Sequence, residues 1–371
     1  MPIRGVGRLP DGARRYAAGM VDAASGAARG PGTGPNERDV VVERMVEAAR
    51  TIAPYVDRTP MLSSSTAARV VAASIGRQPA DGRIYLKAEH LQKTGSFKPR
   101  GAVAKIAALT PAERRRGIIT ISAGNAAQGY AYAGRVNGIS VTVVMPADAN
   151  PSKAAACRGY GAEVVLEGAD VGDALAAMER IRDERDLVFC HPYDDPDWIA
   201  GTGTAGLEIL EDLPDVDVVV VGVGGGGLIS GVAGAIRQIR PEARVYAVEP
   251  VGSDALRRGL EAGQPVRLTP RSVADGLNGP FAGEWNIAMA RRYVADVILV
   301  PDDEILAALR FALERLKQVL EPAGVAALGA LLTGRIPVND GERVCVVLSG
   351  GNVDMARLGE LLAAAPALTI P

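Results

Sequence analysis

Short β-branched runs recur along the chain at residues 84–86, 118–121, 141–144, 164–166, 218–221, 245–248, 297–300 and 344–348, separated by alanine-rich stretches of helical length. Most are continuously apolar rather than alternating, so both faces of each strand have to be covered. Parallel strands with helical crossovers meet that requirement. The pattern predicts an α/β fold with ligands bound beyond the carboxyl ends of the strands. At 371 residues the chain exceeds the ~250 to 300 at which single cores stop growing. No repeat or long linker divides it, so a second domain has to be an insertion within the alternation.

Hydrophobic residues make up 48% of the chain and charged residues 23%, a globular balance that can fill such a core. A net charge of -2 provides no basic field for a nucleic acid or an anionic membrane, so small molecules and other subunits are the expected partners. Cys157, Cys190 and Cys345 lie far apart with no CxxC spacing. They support neither a disulfide framework nor a zinc site, and they fit a reducing cytoplasm. Residues 1–35 lack a continuous apolar core and read as a flexible tail rather than a secretory signal. Residues 218–236 carry no charge and are long enough to span a bilayer, yet they contain Gly224, Gly225, Gly226 and Gly227. A buried strand, a glycine turn and a helix explain that segment better.

Three strand ends carry unusual residues. In VVVVGVGGGGLISG, a strand runs through four consecutive glycines into a helix, leaving backbone N–H groups free to surround a phosphate. Gly222, Gly224 and Gly227 also match the dinucleotide fingerprint, with Glu249 about 20 residues on. A nicotinamide-dependent oxidoreductase is therefore the rival reading. Several β/α units precede the fingerprint, however, and that reading leaves the lysine in LQKTGSFKPRGA without a role. In GIITISAGNAAQGYA, Ser122, Gly124 and Asn125 offer hydroxyl, backbone and amide donors at a helix start, suited to a carboxylate or a phenolic oxygen; a simple N-cap is the alternative for Asn125. In VCVVLSGGNVD, Ser349 ends a strand, where a serine is usually a cap or turn residue.

A phosphate site, donors for a ring and a lysine able to capture a carbonyl together ask for pyridoxal 5'-phosphate. EHLQKTGSFKPRGA, SAGNAAQGYA, HPYDDPDWIAGTGTAGLEI, VGVGGGGLISG, AVEP, VADGL, EPAGVAAL and LSGGNVD occur in that order over residues ~40 to ~360. In these motifs the chain resembles the pyridoxal-phosphate-dependent threonine/serine dehydratases of the tryptophan synthase β superfamily. The resemblance implies the fold type II architecture, two open, twisted, mostly parallel sheets flanked by helices. It also implies a large cofactor-binding domain from residues 36–114 and 191–371, a small mobile domain at 115–190, and a homodimer.

Carried onto this sequence, the resemblance makes Lys98 the internal Schiff-base lysine, with Phe97 beside the cofactor ring. Gly224, Gly225, Gly226 and Gly227 would cradle the phosphate, Asn125 would donate to the phenolic oxygen and Ser349 would meet the pyridine nitrogen. Ser122, Gly124 and Asn125 would receive the substrate carboxylate. The implied activity is conversion of a β-hydroxy amino acid, L-threonine or L-serine first, to a 2-oxo acid and ammonia. Lys98 would take the α-proton and the cofactor phosphate would assist loss of the β-hydroxyl. A neutral hydroxyl at Ser349 leaves the ring a weaker electron sink, which favours elimination over transamination.

The pattern is not reproduced everywhere. Ala126 stands where the family usually has histidine beside the cofactor, which enlarges or dries the pocket. Ala123 replaces the serine that serves the opposite substrate face in related racemases, and it has no proton to move. Glu249 resembles the acidic residue of a divalent-metal site for Mg²⁺, but Ala255 occupies the place of a second carboxylate; a carboxylate capping a turn is the equal alternative. A racemase or β-replacement synthase on the same scaffold, or a non-catalytic cofactor-binding protein, remain the competing functions. Replacing Lys98 by alanine is expected to abolish both the visible Schiff-base absorbance and turnover, measured on the purified protein.

Overall fold

A computed structural model describes residues 38–371, so the tail expected at residues 1–35 lies outside the described residues. Among those residues the strands, in chain order, are β1 (Met61–Ser64), β2 (Ile84–Lys87), β3 (Ile118–Ile121), β4 (Val141–Met145), β5 (Glu163–Leu166), β6 (Val188–Phe189), β7 (Val218–Gly222), β8 (Arg244–Pro250), β9 (Asp296–Val300) and β10 (Val344–Val347). They form a six-stranded sheet ordered β1-β2-β10-β7-β8-β9 and a four-stranded sheet ordered β5-β4-β3-β6. Every pairing is parallel except β1 with β2.

Each apolar run of the sequence becomes a strand, as the alternation predicts. β1 and β6 lie outside that pattern. The first is a partly polar Met-Leu-Ser-Ser stretch on an antiparallel edge, and the second has only two residues.

Burial on both faces explains the continuous hydrophobicity. Val218 and Val220 of β7 enter one core cluster while Val219 and Val221 enter another, because successive side chains point to opposite faces. On one side the helix Gly227–Ile239 contributes Leu228, Ile229 and Val232, and on the other Pro322–Leu332 contributes Val325, Leu328 and Leu331. Burying a Val or Leu side chain is worth about 1.5–3 kcal/mol, so these layers hold the larger sheet in place.

All four strands of the second sheet come from residues 118–189. One of its faces shares a core with Ala102, Val103 and Ile106 of the helix Lys98–Ala108 and with Trp198 of the helix Pro196–Asp212. The helix Lys98–Ala108 thus packs against the smaller sheet and the helix Pro196–Asp212. Among the described residues, no helix is long and apolar enough to cross a membrane.

An ionic cluster anchors that helix. Arg100, 1% exposed, gives Glu89 a bidentate pair at 2.8 Å each and donates to Glu208 at 2.7 and 2.8 Å. Lys87 Nζ donates to Glu208 at 2.6 Å and to the Thr59 carbonyl at 2.7 Å. Burial alone would raise the Glu89 carboxyl, but Arg100 beside it holds it below the usual carboxylate range. The cluster joins β2, the short turn after it and two helices through charge-assisted bonds.

Replacing Arg100 by methionine would leave the Glu89 carboxylate buried without its partner. Urea unfolding is expected to show a loss of about 3–5 kcal/mol, whereas a loss well below 1 kcal/mol would show that the cluster does not hold the helix.

Candidate active site

The site begins with a turn that only particular residues can form. Thr94 and Gly95 both have positive φ, 61° and 73°, and a Cβ on Gly95 would collide with the Asn352 side chain. Glycine is required at that close approach. Asn352 Nδ2 donates to the Thr94 carbonyl at 2.6 Å, and Gly351 N donates to the Gly95 carbonyl at 2.9 Å. The Phe97 N–H then donates to the Ser349 carbonyl at 3.1 Å, which joins the loop after β10 to the residue preceding Lys98. Lys98 opens its helix and is followed by Pro99, whose missing N–H would have had no helical acceptor there.

Across from this turn, the helix Asn125–Asn137 starts at the carboxyl end of β3. Asn125 Nδ2 donates to Glu321 Oε1 at 2.5 Å, while its Oδ1 accepts from Asn352 Nδ2 at 2.9 Å. One turn later, Gly129 packs so closely on Lys98 that a Cβ would come within 3.0 Å of the lysine Cβ. Glu321 is buried, and its Oε2 has no hydrogen-bond partner among the described residues.

The third element is the turn after β7. Gly226 has φ 101°, a left-handed conformation, and a Cβ on Gly225 would collide with the Tyr193 ring. Asn286 clamps the turn by donating to the Gly225 carbonyl at 2.9 Å and to the Tyr193 carbonyl at 3.2 Å. No protein acceptor among the described residues takes the N–H groups of Gly224, Gly225 or Gly226. They border a cavity whose wall also includes Phe97, Lys98, Tyr193, Trp198, Gly227 and Leu277. Lys98 Nζ lies 4.6 Å from the Phe97 ring centroid.

Desolvation pulls the Lys98 ammonium down to about 8, opposed by the negative charge of Glu321. Burial, with Asp275 nearby, raises the Glu321 carboxyl to about 7. The amine can therefore lose its proton near neutrality without a hydrogen-bonded base.

The structure brings Lys98, Phe97, Gly224, Gly225, Gly226 and Gly227 into one cavity wall. Ser349 and Asn125 adjoin that wall through the Phe97 and Gly129 contacts. The Ser349 hydroxyl donates to the Ala323 carbonyl at 3.3 Å. Ser122 and Gly124 lie outside the wall, at the end of β3, where the Gly124 N–H donates to Ser122 Oγ at 3.2 Å. Glu249 sits apart: its two oxygens accept the N–H groups of Leu256 and Arg257 at 2.7 and 3.0 Å, capping the helix Ala255–Ala262, and burial raises its carboxyl to about 8. No cluster of three or more metal-ligating side chains occurs among the described residues. Tyr193 and Trp198 lie within HPYDDPDWIAGTGTAGLEI, Glu321 opens EPAGVAAL and Asn352 lies within LSGGNVD, but the sequence assigns none of them a role, and Asn286 lies in no motif. A charge between Leu320 and Pro322 at the head of that motif was a further local signal for Glu321.

Fold and site together define an α/β protein in which a lysine of lowered pKa faces a set of unpaired N–H donors. The residues fit a phosphorylated aldehyde, because the glycine turn offers donors to an anion and admits no Cβ. The family model for pyridoxal-phosphate dependent enzymes matches residues 52–350, and the chain belongs to that family. It is 43% identical over 324 residues to the L-threonine ammonia-lyase of Thermotoga maritima, covering 87% of this chain and 78% of that protein. Maize serine racemase shares the fold with a TM-score of 0.80 at 34% identity, covering 87% of this chain and 97% of that one. The processed form of threonine deaminase isoform 2 from Solanum lycopersicum matches with a TM-score of 0.79 at 30% identity, covering 90% of this chain and 99% of that one. The nicotinamide reading of the glycine turn is thereby set aside.

Replacing Glu321 by glutamine removes the anion that supports the Lys98 ammonium. The midpoint for labelling Lys98 with an amine-selective reagent, followed by peptide mass mapping, is expected to move to lower pH in the variant; an unchanged midpoint would show that the two groups are uncoupled.

Proposed function

We propose that the protein is an ammonia-lyase that eliminates water from a β-hydroxy amino acid, L-threonine first and L-serine second, releasing a 2-oxo acid and ammonia. The observation that carries this reading is a lysine amine, lowered to about 8, in the same cavity wall as the unpaired glycine donors. The names of the relatives support the reaction class.

When bound, pyridoxal phosphate supplies an electron sink for negative charge developing at the substrate α-carbon. Lys98 would hold its aldehyde carbon, and the N–H groups of Gly224, Gly225, Gly226 and Gly227 would hold its phosphate. Phe97 would flank the ring, and Asn125, oriented by Glu321 and Asn352, would supply an amide donor to its oxygen. Ser349 would meet the ring nitrogen with a neutral hydroxyl. Ser122, Gly124 and Asn125 receive the substrate carboxylate at the end of β3.

The Lys98 amine would take the α-proton on its Nζ, a role its lowered pKa suits. Ala123 has no proton to move on the opposite face, so racemisation is minor. Closure of residues 115–190 over the substrate would exclude water during elimination. The active form is a homodimer, and the buried free Cys157, Cys190 and Cys345 suit a reducing cytoplasm.

The purified, cofactor-loaded protein is expected to convert L-threonine to 2-oxobutanoate and ammonia in equal amounts with no second nucleophile. A requirement for an added nucleophile, or inversion of L-serine faster than its deamination, would move the function to a synthase or a racemase.

A further inference from the structure

Trp198 has the largest of the fully buried side chains, and its indole N–H meets no acceptor among the described residues. Its position is set by packing on several sides. Asp195 caps the helix from which it projects, accepting the N–H groups of Asp197 and Trp198 at 2.8 and 3.1 Å. The ring lies against Gly101, where a Cβ would come within 2.5 Å of a ring carbon, and it tilts on Tyr130 at a centroid separation of 5.2 Å. A phenylalanine would fill much of that space without burying a donor. An unpaired buried N–H carries the full penalty of its desolvation, so an acceptor outside the protein is the economical explanation.

The location of Nε1 indicates which acceptor. A Cβ on Gly227 would stand 2.9 Å from it, and Trp198 belongs to the cavity wall formed by Gly224, Gly225, Gly226 and Lys98. The donor therefore sits at the start of the helix Gly227–Ile239, beside the unpaired glycine N–H groups, where an anion is favoured.

We propose that Trp198 Nε1–H donates to a phosphate oxygen of the cofactor, adding a directional side-chain donor to a cradle otherwise made of backbone. The inference rests on reading the glycine turn as that cradle. It also assigns Trp198 a positioning role: the ring is seated against Gly101, one helical turn beyond Lys98, while its N–H faces the glycine turn. The indole thus acts as a spacer between the lysine and the phosphate seat.

The test is titration of the full chain, freed of cofactor, with pyridoxal 5'-phosphate and with pyridoxal, for the wild type, Trp198→Phe and Gly225→Ala. Trp198→Phe is expected to weaken binding of the phosphorylated compound about tenfold while leaving pyridoxal unchanged, because only the phosphate would meet Nε1. Equal loss for both compounds would overturn the proposal by making Trp198 a packing residue only. A phosphate preference that survives Trp198→Phe but vanishes in Gly225→Ala would refute the tryptophan and leave the cradle standing. A wild type with no phosphate preference would sink the cradle reading itself. Should Trp198→Phe not fold, the two indole N–H resonances of the ¹⁵N-labelled wild type decide, assigned through Trp285→Phe. The Trp198 resonance is expected to move downfield when inorganic phosphate is added to the cofactor-free protein; a stationary resonance under saturating phosphate would overturn the proposal.

Discussion

The buried guanidinium of Arg100 is the contact on which the site depends. It lies two residues after Lys98, held by carboxylates from the turn after β2 and from the helix Pro196–Asp212. Removing such charges from water costs several kcal/mol per ion, and only bidentate geometry with further hydrogen bonds offsets it. Here both Glu89 oxygens and both Glu208 oxygens are used. A helix anchored in this way has little freedom to rotate, so the direction in which Lys98 leaves its first turn is set by groups that never touch the cavity.

The same exclusion of water acts on the chemistry. It lowers the Lys98 amine and raises the Glu321 carboxyl, which brings both toward neutrality from opposite directions. The cavity has a glycine wall that leaves N–H groups unpaired, and beside it an amide network in which Asn125, Glu321 and Asn352 fix one another. The first suits an anion and the second a neutral oxygen acceptor. Both lie at carboxyl ends of parallel strands, where crossover helices begin and their N–H groups are free.

Much of this was legible locally. Continuous apolar runs mark strands buried on both faces, and every run became one; β1 and β6 escaped because a four-residue polar edge and a two-residue strand carry almost no periodic signal. Lys98 and Gly224, Gly225, Gly226 and Gly227 stand out because their neighbours are unusual for a plain turn. Glu249 illustrates the limit: its sequence context admits a metal ligand or a cap equally, and the hydrogen bonds to Leu256 and Arg257 depend on how the next helix is placed. Glu321 and Trp198 were visible as residue types but not as groups with unpaired buried atoms.

What the chain alone determined is the α/β alternation, the glycine turn and the lysine at a helix start, since each follows from residue spacing and backbone preference over a few positions. Tertiary structure decided which charges meet. Arg100 and Glu208 are 108 positions apart, and Asn125 and Glu321 are 196 apart. No local pattern encodes such pairs, because strand order and helix packing bring them together, and only that enclosure removes the water whose loss lowers the Lys98 amine to about 8.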